Sequence, residues 1–221
     1  MKLPFLPVLI LLTGCAHHGA GHAPTAVLWN LDGLASIGGY RPEVLGAPRT
    51  MVQDGRKALC FDGKADGLLL ATNPIAGMPH FTIEILFRPE GDGPAEQRFL
   101  HIQDDRERRV LIETRVTDQR IFALDTFLRD TDANKLTLLD RSLVQATDQW
   151  HWAALVYDGA TMSHYVDAGK QLEGAVIFPP MDAGRISLGV RQNRVHWFKG
   201  CIAQVRFTPA ALPATDLQRP N

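Results

Sequence analysis

Four polar side chains near the middle of the sequence, His101, Glu113, Arg115 and Asp125, have types and spacing that could do chemistry. Glu113 and Arg115 alternate with apolar residues in a β-rich run, so both point to one face of a strand. His101 and Asp125 lie in similar runs before and after it. Imidazole, carboxylate and guanidinium groups offer several hydrogen bonds each, which suits sugar hydroxyls. The pattern predicts either a ligand-binding sheet face or an ordinary solvated face with cross-strand ion pairs.

A polar loop near the end of the chain is a second candidate for ligand contact. It runs from Arg191 through Asn193 to Trp197. Aromatic rings provide flat platforms for sugar rings, and Trp197 or Phe127 could supply one beside the sheet face that carries Glu113. The loop is interpreted as the rim of a ligand site or as a plain hairpin tip.

The elements that must position these side chains are short strands. The chain has 221 residues, 45% apolar content, 19 glycines and 14 prolines, and no long stretch keeps a helical period. Such a pattern predicts one antiparallel β sandwich or barrel over residues 26–221. The net charge is −1 with basic and acidic residues interspersed, which argues against a nucleic-acid partner.

The first residues have a separate role. Lys2 precedes a short apolar run that ends in small residues before Cys15, which is the layout of a signal peptide and too short to span a bilayer. Leu12-Thr13-Gly14-Cys15 resembles the lipobox of bacterial lipoproteins. This resemblance implies removal of residues 1–14 and lipidation of Cys15, including a palmitate-type acyl chain. Residues 15–25 would form a flexible tether, and an ordinary secretory signal is the alternative.

This resemblance also predicts the location of the protein. Ala16, directly after the cysteine, resembles the outer-membrane sorting pattern. We therefore expect a protein of the bacterial cell envelope, attached to the outer membrane through its lipid anchor. His17, His18 and His22 in the tether could hold a metal but are more typical of a solvated linker.

Several segments, in order, resemble the LamG-like jelly roll of the concanavalin A-like clan. They are Ala58-Leu59-Cys60-Phe61-Asp62-Gly63, the run from Phe81 to Pro89, Trp150 to Asp167, Ile186-Ser187-Leu188-Gly189, and Phe198 to Phe207. The resemblance implies an all-β fold of two antiparallel sheets. One departure is the extra residue in Asp167-Ala168-Gly169-Lys170, which predicts a three-residue hairpin with Gly169 at positive φ.

The resemblance further implies that the strands holding Cys60 and Cys201 are neighbours. Alternation turns both cysteines away from the core, so we expect a disulfide in an oxidising compartment, with two unpaired cysteines as the alternative. Calcium is common in relatives, and Asp62, Asp66 and Asp158 lie near turns, but nothing is spaced like a calcium loop. No cofactor is assigned, and structural calcium stays open.

Function follows from the resemblance only in outline. A binding module for a glycan or glycoprotein is the leading hypothesis. The clan also contains enzymes, but the acidic run Glu90 to Glu96 has the wrong spacing for the glucanase motif of that clan, and its glycines and proline indicate a loop. A hydrolase or lyase acting through His101, Glu113 and Asp125 is one alternative. A structural lipoprotein that recruits a protein partner is the other.

Overall fold

The computed structural model describes residues 25–220. The predicted signal peptide, the lipidation of Cys15 and all of the tether except Thr25 lie outside the described residues. Within residues 25–220, no helix is both long enough and apolar enough to cross a membrane.

Strands dominate the described part of the chain. They are β1 (Val27–Asn30), β2 (Glu43–Leu45), β3 (Arg49–Gln53), β4 (Arg56–Asp62), β5 (Gly67–Leu70), β6 (Phe81–Pro89), β7 (Glu96–Asp104), β8 (Arg109–Val116), β9 (Ile121–Arg129), β10 (Lys135–Ala146), β11 (His151–Tyr157), β12 (Thr161–Val166), β13 (Gly169–Ala175), β14 (Gly184–Leu188) and β15 (Lys199–Thr208). A single 3-10 turn, Ala214–Asp216, follows them.

The strands form two antiparallel sheets. One has eight strands, in the order β13-β12-β11-β6-β15-β4-β3, with β1 also paired to β15. The other has seven strands, in the order β10-β9-β8-β7-β14-β5-β2. The predicted all-β, two-sheet jelly-roll sandwich is therefore confirmed.

The core lies between the two sheets because alternate residues of each strand point inward. In β8, Val110 and Ile112 are fully buried in it. Phe87 of the eight-stranded sheet stacks on Phe99 of the seven-stranded sheet, with ring centroids 4.4 Å apart. Each such buried aromatic side chain contributes about 1.5–3 kcal/mol relative to an exposed one, so this contact helps to hold the sheets together.

Cys60 and Cys201 form a disulfide between β4 and β15, where they are paired in register. Both cysteines belong to a small apolar cluster distinct from the main core, together with Trp150 and Trp152. The predicted pairing, on the side of the sheet that faces away from the core, is confirmed.

The hairpin between β12 and β13 corrects a prediction from the sequence. Val166 pairs with Gly169, so the loop has two residues, Asp167 and Ala168, with φ of 52° and 62°. Gly169 is not at positive φ, and the three-residue hairpin was wrong. Asp167 tolerates the left-handed conformation, and its carboxylate accepts the backbone N–H of Trp152 at 2.8 Å, which fixes the tighter turn.

Candidate functional site

The outer face of the seven-stranded sheet carries most of the predicted polar residues. Adjacent strands β7, β8 and β9 place Glu113 opposite Asp125 and opposite Arg98, and Glu96 opposite Arg115. Residues paired in register project to the same side of a sheet. The structure therefore brings Glu113, Arg115 and Asp125 together and adds Glu96 and Arg98, which the sequence did not single out.

These five residues form one carboxylate–arginine cluster. Arg115 Nε donates to Asp125 Oδ2 at 2.8 Å, and its Nη2 donates to Glu113 Oε2 at 3.1 Å. Arg98 Nε lies 2.9 Å from Glu113 Oε1. Glu96 Oε2 lies 2.8 Å from Arg115 Nη1 and 3.2 Å from Arg98 Nη1. Each of the two arginines thus bridges carboxylates on the same sheet face.

Burial perturbs the ionisation of this cluster. Removal from water, reinforced by the nearby Asp125 charge and opposed by Arg98, raises the pKa of Glu113 to about 7. Burial likewise raises the pKa of Asp125. Burial opposes the charged form of Arg115, but Asp125 and Glu113 outweigh it and raise the pKa of its guanidinium. Glu113 therefore changes charge near neutral pH.

His101 is nearly inaccessible, at 1% exposure. Its Nδ1 accepts the backbone N–H of Gln192 at 3.1 Å, and the Gln192 side chain donates to the backbone carbonyls of His101 and Arg185. Burial, with the charge of Arg191, lowers the pKa of His101 to about 3, so the ring is neutral. Its contacts tie the loop after β14 to the sheet.

A cavity of about 240 Å³ lies on this face. It is lined by Arg98, Arg109, Leu111, Glu113, Arg115, Asp125, Phe127, Thr137 and Arg191. Phe127 supplies the predicted aromatic surface. Trp197 does not line the cavity; it lies beside Gly67, where an added Cβ would stand 3.4 Å from its ring.

A second cavity, of about 420 Å³, is also lined by residues of the loop after β14. Gln192 and Asn193 line it together with Gln103, whereas the preceding residue, Arg191, lines the first cavity. Gln103 pairs in register with Arg109 of the first cavity. The two cavities are therefore neighbours along one face, and Arg191 and Asn193 mark their common border.

The carboxylates considered for calcium serve the backbone. Asp62 Oδ1 accepts three backbone N–H groups, from residues 64–66, and Asp158 Oδ1 accepts those of Ala160 and Thr161. Asp66 Oδ1 accepts the N–H of Ala47 at 2.7 Å. Within residues 25–220 there is no group of three or more His, Cys, Asp and Glu side chains arranged to hold a metal ion.

Arg98 could not be identified from the sequence because strict alternation from Leu100 and Ile102 places it on the inner face. The register of β7 shifts between Arg98 and Leu100. This bulge turns both Arg98 and His101 outward, although they are three residues apart. Arg109 did lie on the predicted outer face, and its alternation with Val110 was the signal that could have identified it.

Two packed antiparallel sheets in this topology define a β-sandwich protein. The family is identified by a match in sequence. Residues 62–218 match the family described as the concanavalin A-like lectin/glucanases superfamily. The chain belongs to this family. No curated protein matches it in sequence.

Solved structures share the fold at low identity. Domain 4 of AbnA, a GH43 extracellular arabinanase from Geobacillus stearothermophilus, in complex with arabinotriose, is 16% identical, with a TM-score of 0.61 over 87% of this chain and 96% of that one. The binding domain of Paraclostridial Mosquitocidal Protein 1 is 11% identical, with a TM-score of 0.65 over 86% of this chain and 50% of that one. The binding domain of botulinum neurotoxin serotype D is 12% identical, with a TM-score of 0.64 and the same coverages. The chain thus spans about half the length of these toxin domains.

Proposed function

We propose that this protein is an extracytoplasmic, lipid-anchored binding module that recognises a glycan or glycoprotein. The ligand site is the cavity on the outer face of the seven-stranded sheet, lined by Glu113, Arg115, Asp125 and Phe127. This cavity is the observation that carries the proposal, because it combines multidentate polar groups with an aromatic ring on a rigid sheet.

One carboxylate oxygen of this cavity is still free to accept a hydrogen bond. Asp125 is 1% exposed, and its Oδ1 has no hydrogen-bond partner among residues 25–220. A buried acceptor left without a partner costs about 1–3 kcal/mol. A ligand hydroxyl that donates to this oxygen would remove that cost.

The size of the site suits a chain of sugars. The first cavity, about 240 Å³, is smaller than the roughly 300–1,000 Å³ of common small-molecule sites. The neighbouring cavity of about 420 Å³ extends it past Asn193. An oligosaccharide laid along the face could occupy both. The arabinanase domain solved with arabinotriose supports an oligosaccharide as the class of ligand, by likeness of fold.

The anchor rests on the sequence around Cys15. Lipidation there would tether the sandwich to the cell envelope, with the outer membrane as its site. A membrane-attached module of this kind would present its cavity to glycans outside the cytoplasm.

A glycan array probed with the purified full-length chain, with and without calcium, tests the proposal. We expect binding to a defined glycan set, and a loss of at least about tenfold in affinity for Phe127→Ala, since stacking on the ring is removed. Leu28→Ala, an exposed apolar residue at 50% exposure on the other sheet, is the matched control and should bind normally. Absence of any glycan signal, with a discrete protein adduct on crosslinking in cells, would favour the partner-recruiting lipoprotein instead.

A hydrolase or lyase is the second candidate function. Glu113 opposite Asp125, with the pKa of Glu113 raised to about 7 by burial, is the observation that favours it, because such a group can donate a proton near neutral pH. His101 does not line the cavity, so the candidate acid–base pair is Glu113 and Asp125. Product release from bound polysaccharide that stops in Glu113→Gln would establish catalysis, whereas binding without product excludes it.

A further inference from the structure

The proposed binding cavity has an excess of arginine. Four arginines, Arg98, Arg109, Arg115 and Arg191, and two carboxylates line it. Arg98 and Arg115 are paired with the acids of the carboxylate–arginine cluster. The excess positive charge therefore resides on the other two arginines.

Arg109 and Arg191 lack comparable partners in the part of the chain that is described. The nearest carboxylate to Arg109 is that of Glu107, at 3.9 Å, and its side chain is 66% exposed. Arg109 Nε is buried and has no hydrogen-bond acceptor among residues 25–220. Arg191 forms no ion pair within 4.0 Å with any carboxylate of residues 25–220. A buried cationic N–H without an acceptor is costly unless a ligand supplies one.

The guanidinium groups of Arg109 and Arg191 also interact electrostatically. Burial lowers the pKa of Arg191, and the charge of Arg109 lowers it further. Like charges that line one cavity repel each other, and an anion bound between them relieves this repulsion. Arginine also matches carboxylate and sulfate oxygens in bidentate geometry.

The backbone holds the two residues in place. Arg109 is the first residue of β8 and pairs with Gln103. Arg191 precedes Gln192, whose N–H and side chain are fixed by His101 and by backbone carbonyls. The carbonyl of Arg191 also accepts the N–H of Arg194 at 2.8 Å. The site is therefore preorganised on the sheet and on a loop tied to it.

We propose that Arg109 and Arg191 form an anion subsite of this cavity, so that the ligand is an acidic glycan whose carboxylate or sulfate group lies between them. This inference rests on the proposed function and specifies the ligand class for the same site.

Matched pairs of glycans test it on the purified full-length chain. The probes are a uronic acid-containing oligosaccharide and its carboxyl-reduced form, and a sulfated oligosaccharide and its desulfated form. We expect at least a tenfold preference for the acidic member of one pair, which also identifies the anion, and weaker binding as salt rises.

Substitutions assign the effect to the two arginines. Arg191→Gln and Arg109→Gln should each lose at least tenfold in affinity for the acidic probe, and Arg191→Lys should retain part of it. Arg194→Gln is the matched control on the same loop, since Arg194 pairs with Glu43 at 3.1 Å and should leave affinity unchanged. Circular dichroism would check that each variant is folded.

Three results would overturn the inference. Equal binding of the acidic and neutral members of both pairs would do so while leaving the proposed glycan-binding function intact. Normal affinity of folded Arg191→Gln and Arg109→Gln for the acidic probe would also leave that function intact. Binding of no glycan, acidic or neutral, would overturn both proposals together.

Discussion

Arg115 is the residue on which the candidate site depends most. Its guanidinium contacts Asp125, Glu113 and Glu96, and its side chain is 11% exposed while those of Asp125 and Glu113 are 2% and 3% exposed. Removing one member of a buried ion cluster leaves the others charged and uncompensated. The sheet face is thus a stability element as well as a proposed ligand surface.

Replacement of Arg115 by Gln should lower the free energy of unfolding by about 3 kcal/mol, the lower part of the range for a broken buried pair. Urea denaturation at pH 7 measures it. Arg120→Gln is the control, because its pair with Asp148 is exposed, with a side-chain exposure of 59% for Arg120, and such pairs are worth about 0–1 kcal/mol. Similar losses in the two variants would contradict the prediction.

Glu113 should make stability depend on pH with a defined sign. Its pKa is about 7 in the folded protein against an ordinary value of 4.5, so the folded state retains a proton that the unfolded chain releases. The resulting stabilisation is complete below about pH 4.5 and is lost as pH rises through 7. Groups that do not interact with Glu113 contribute equally to the stability of the wild type and of Glu113→Gln, so they cancel in the difference between the two.

The measurement is the unfolding free energy of the wild type minus that of Glu113→Gln, from pH 5 to pH 8. We expect this difference to fall by up to about 3 kcal/mol, from about 1.4 kcal/mol per pKa unit. A constant difference across this range would show that Glu113 titrates below pH 5.

At the level of elements, the turn after β14 sets the loop that carries Arg191. Gly189 has φ of 78°, and a Cβ there would overlap the ring of Phe61. Its N–H donates to the carbonyl of Phe99, and its carbonyl accepts the N–H of Phe198. Only glycine fits this combination of positive φ and close packing.

Gly189→Ala should therefore lower the unfolding free energy by about 3 kcal/mol, since strain in the backbone adds to overpacking. Thermal and urea denaturation both report it. Gly33→Ala is the control, because nothing lies within 4 Å of its added Cβ, and its change should stay within about 0.5 kcal/mol. An equally stable Gly189→Ala would disprove the close approach to Phe61.

The disulfide links β4 to β15 across a sequence separation of 141 residues. Closing a long loop restricts the unfolded chain, and loss of a native disulfide costs about 2–5 kcal/mol. The double variant Cys60→Ala and Cys201→Ala should accordingly unfold at lower urea concentration than the wild type. Wild-type protein kept reduced should unfold like the variant, and coincident curves for the oxidised wild type and the variant would contradict the assignment.

At the scale of the whole molecule, the two outer faces differ. The seven-stranded sheet exposes the charged cavity, while the eight-stranded sheet carries the disulfide with an apolar cluster that includes Trp150 and Trp152. The proposed ligand face and the disulfide therefore lie on opposite outer faces of the sandwich.

Cys15→Ser tests the anchor. We expect the wild type to incorporate a palmitate analogue and to sediment with membranes, because acyl chains add about 0.8 kcal/mol of membrane affinity per buried methylene. The variant should incorporate no label and leave the membrane fraction. Equal incorporation of the label into both proteins would place the lipid on another residue. Absence of label from both would exclude lipidation.

The local pattern of the sequence was sufficient for an antiparallel β sandwich or barrel, and the resemblance to the LamG-like jelly roll specified the two-sheet sandwich. Alternating apolar residues and turn signals predicted the strands. Alternation, together with the strand order implied by the family resemblance, predicted the pairing of Cys60 with Cys201 that the structure shows. Alternation likewise placed Glu113, Arg115 and Asp125 on a common face, because neighbouring strands share a side-chain period of two residues.

Tertiary structure alone decided the rest. The bulge in β7 brought Arg98 outward, and pairing of Val166 with Gly169 shortened a hairpin that an extra residue had seemed to lengthen. Both depend on register, which is set by hydrogen bonds between segments that are separate in sequence and cannot be read from either segment alone. Register also decided that Phe127, and not Trp197, lines the cavity.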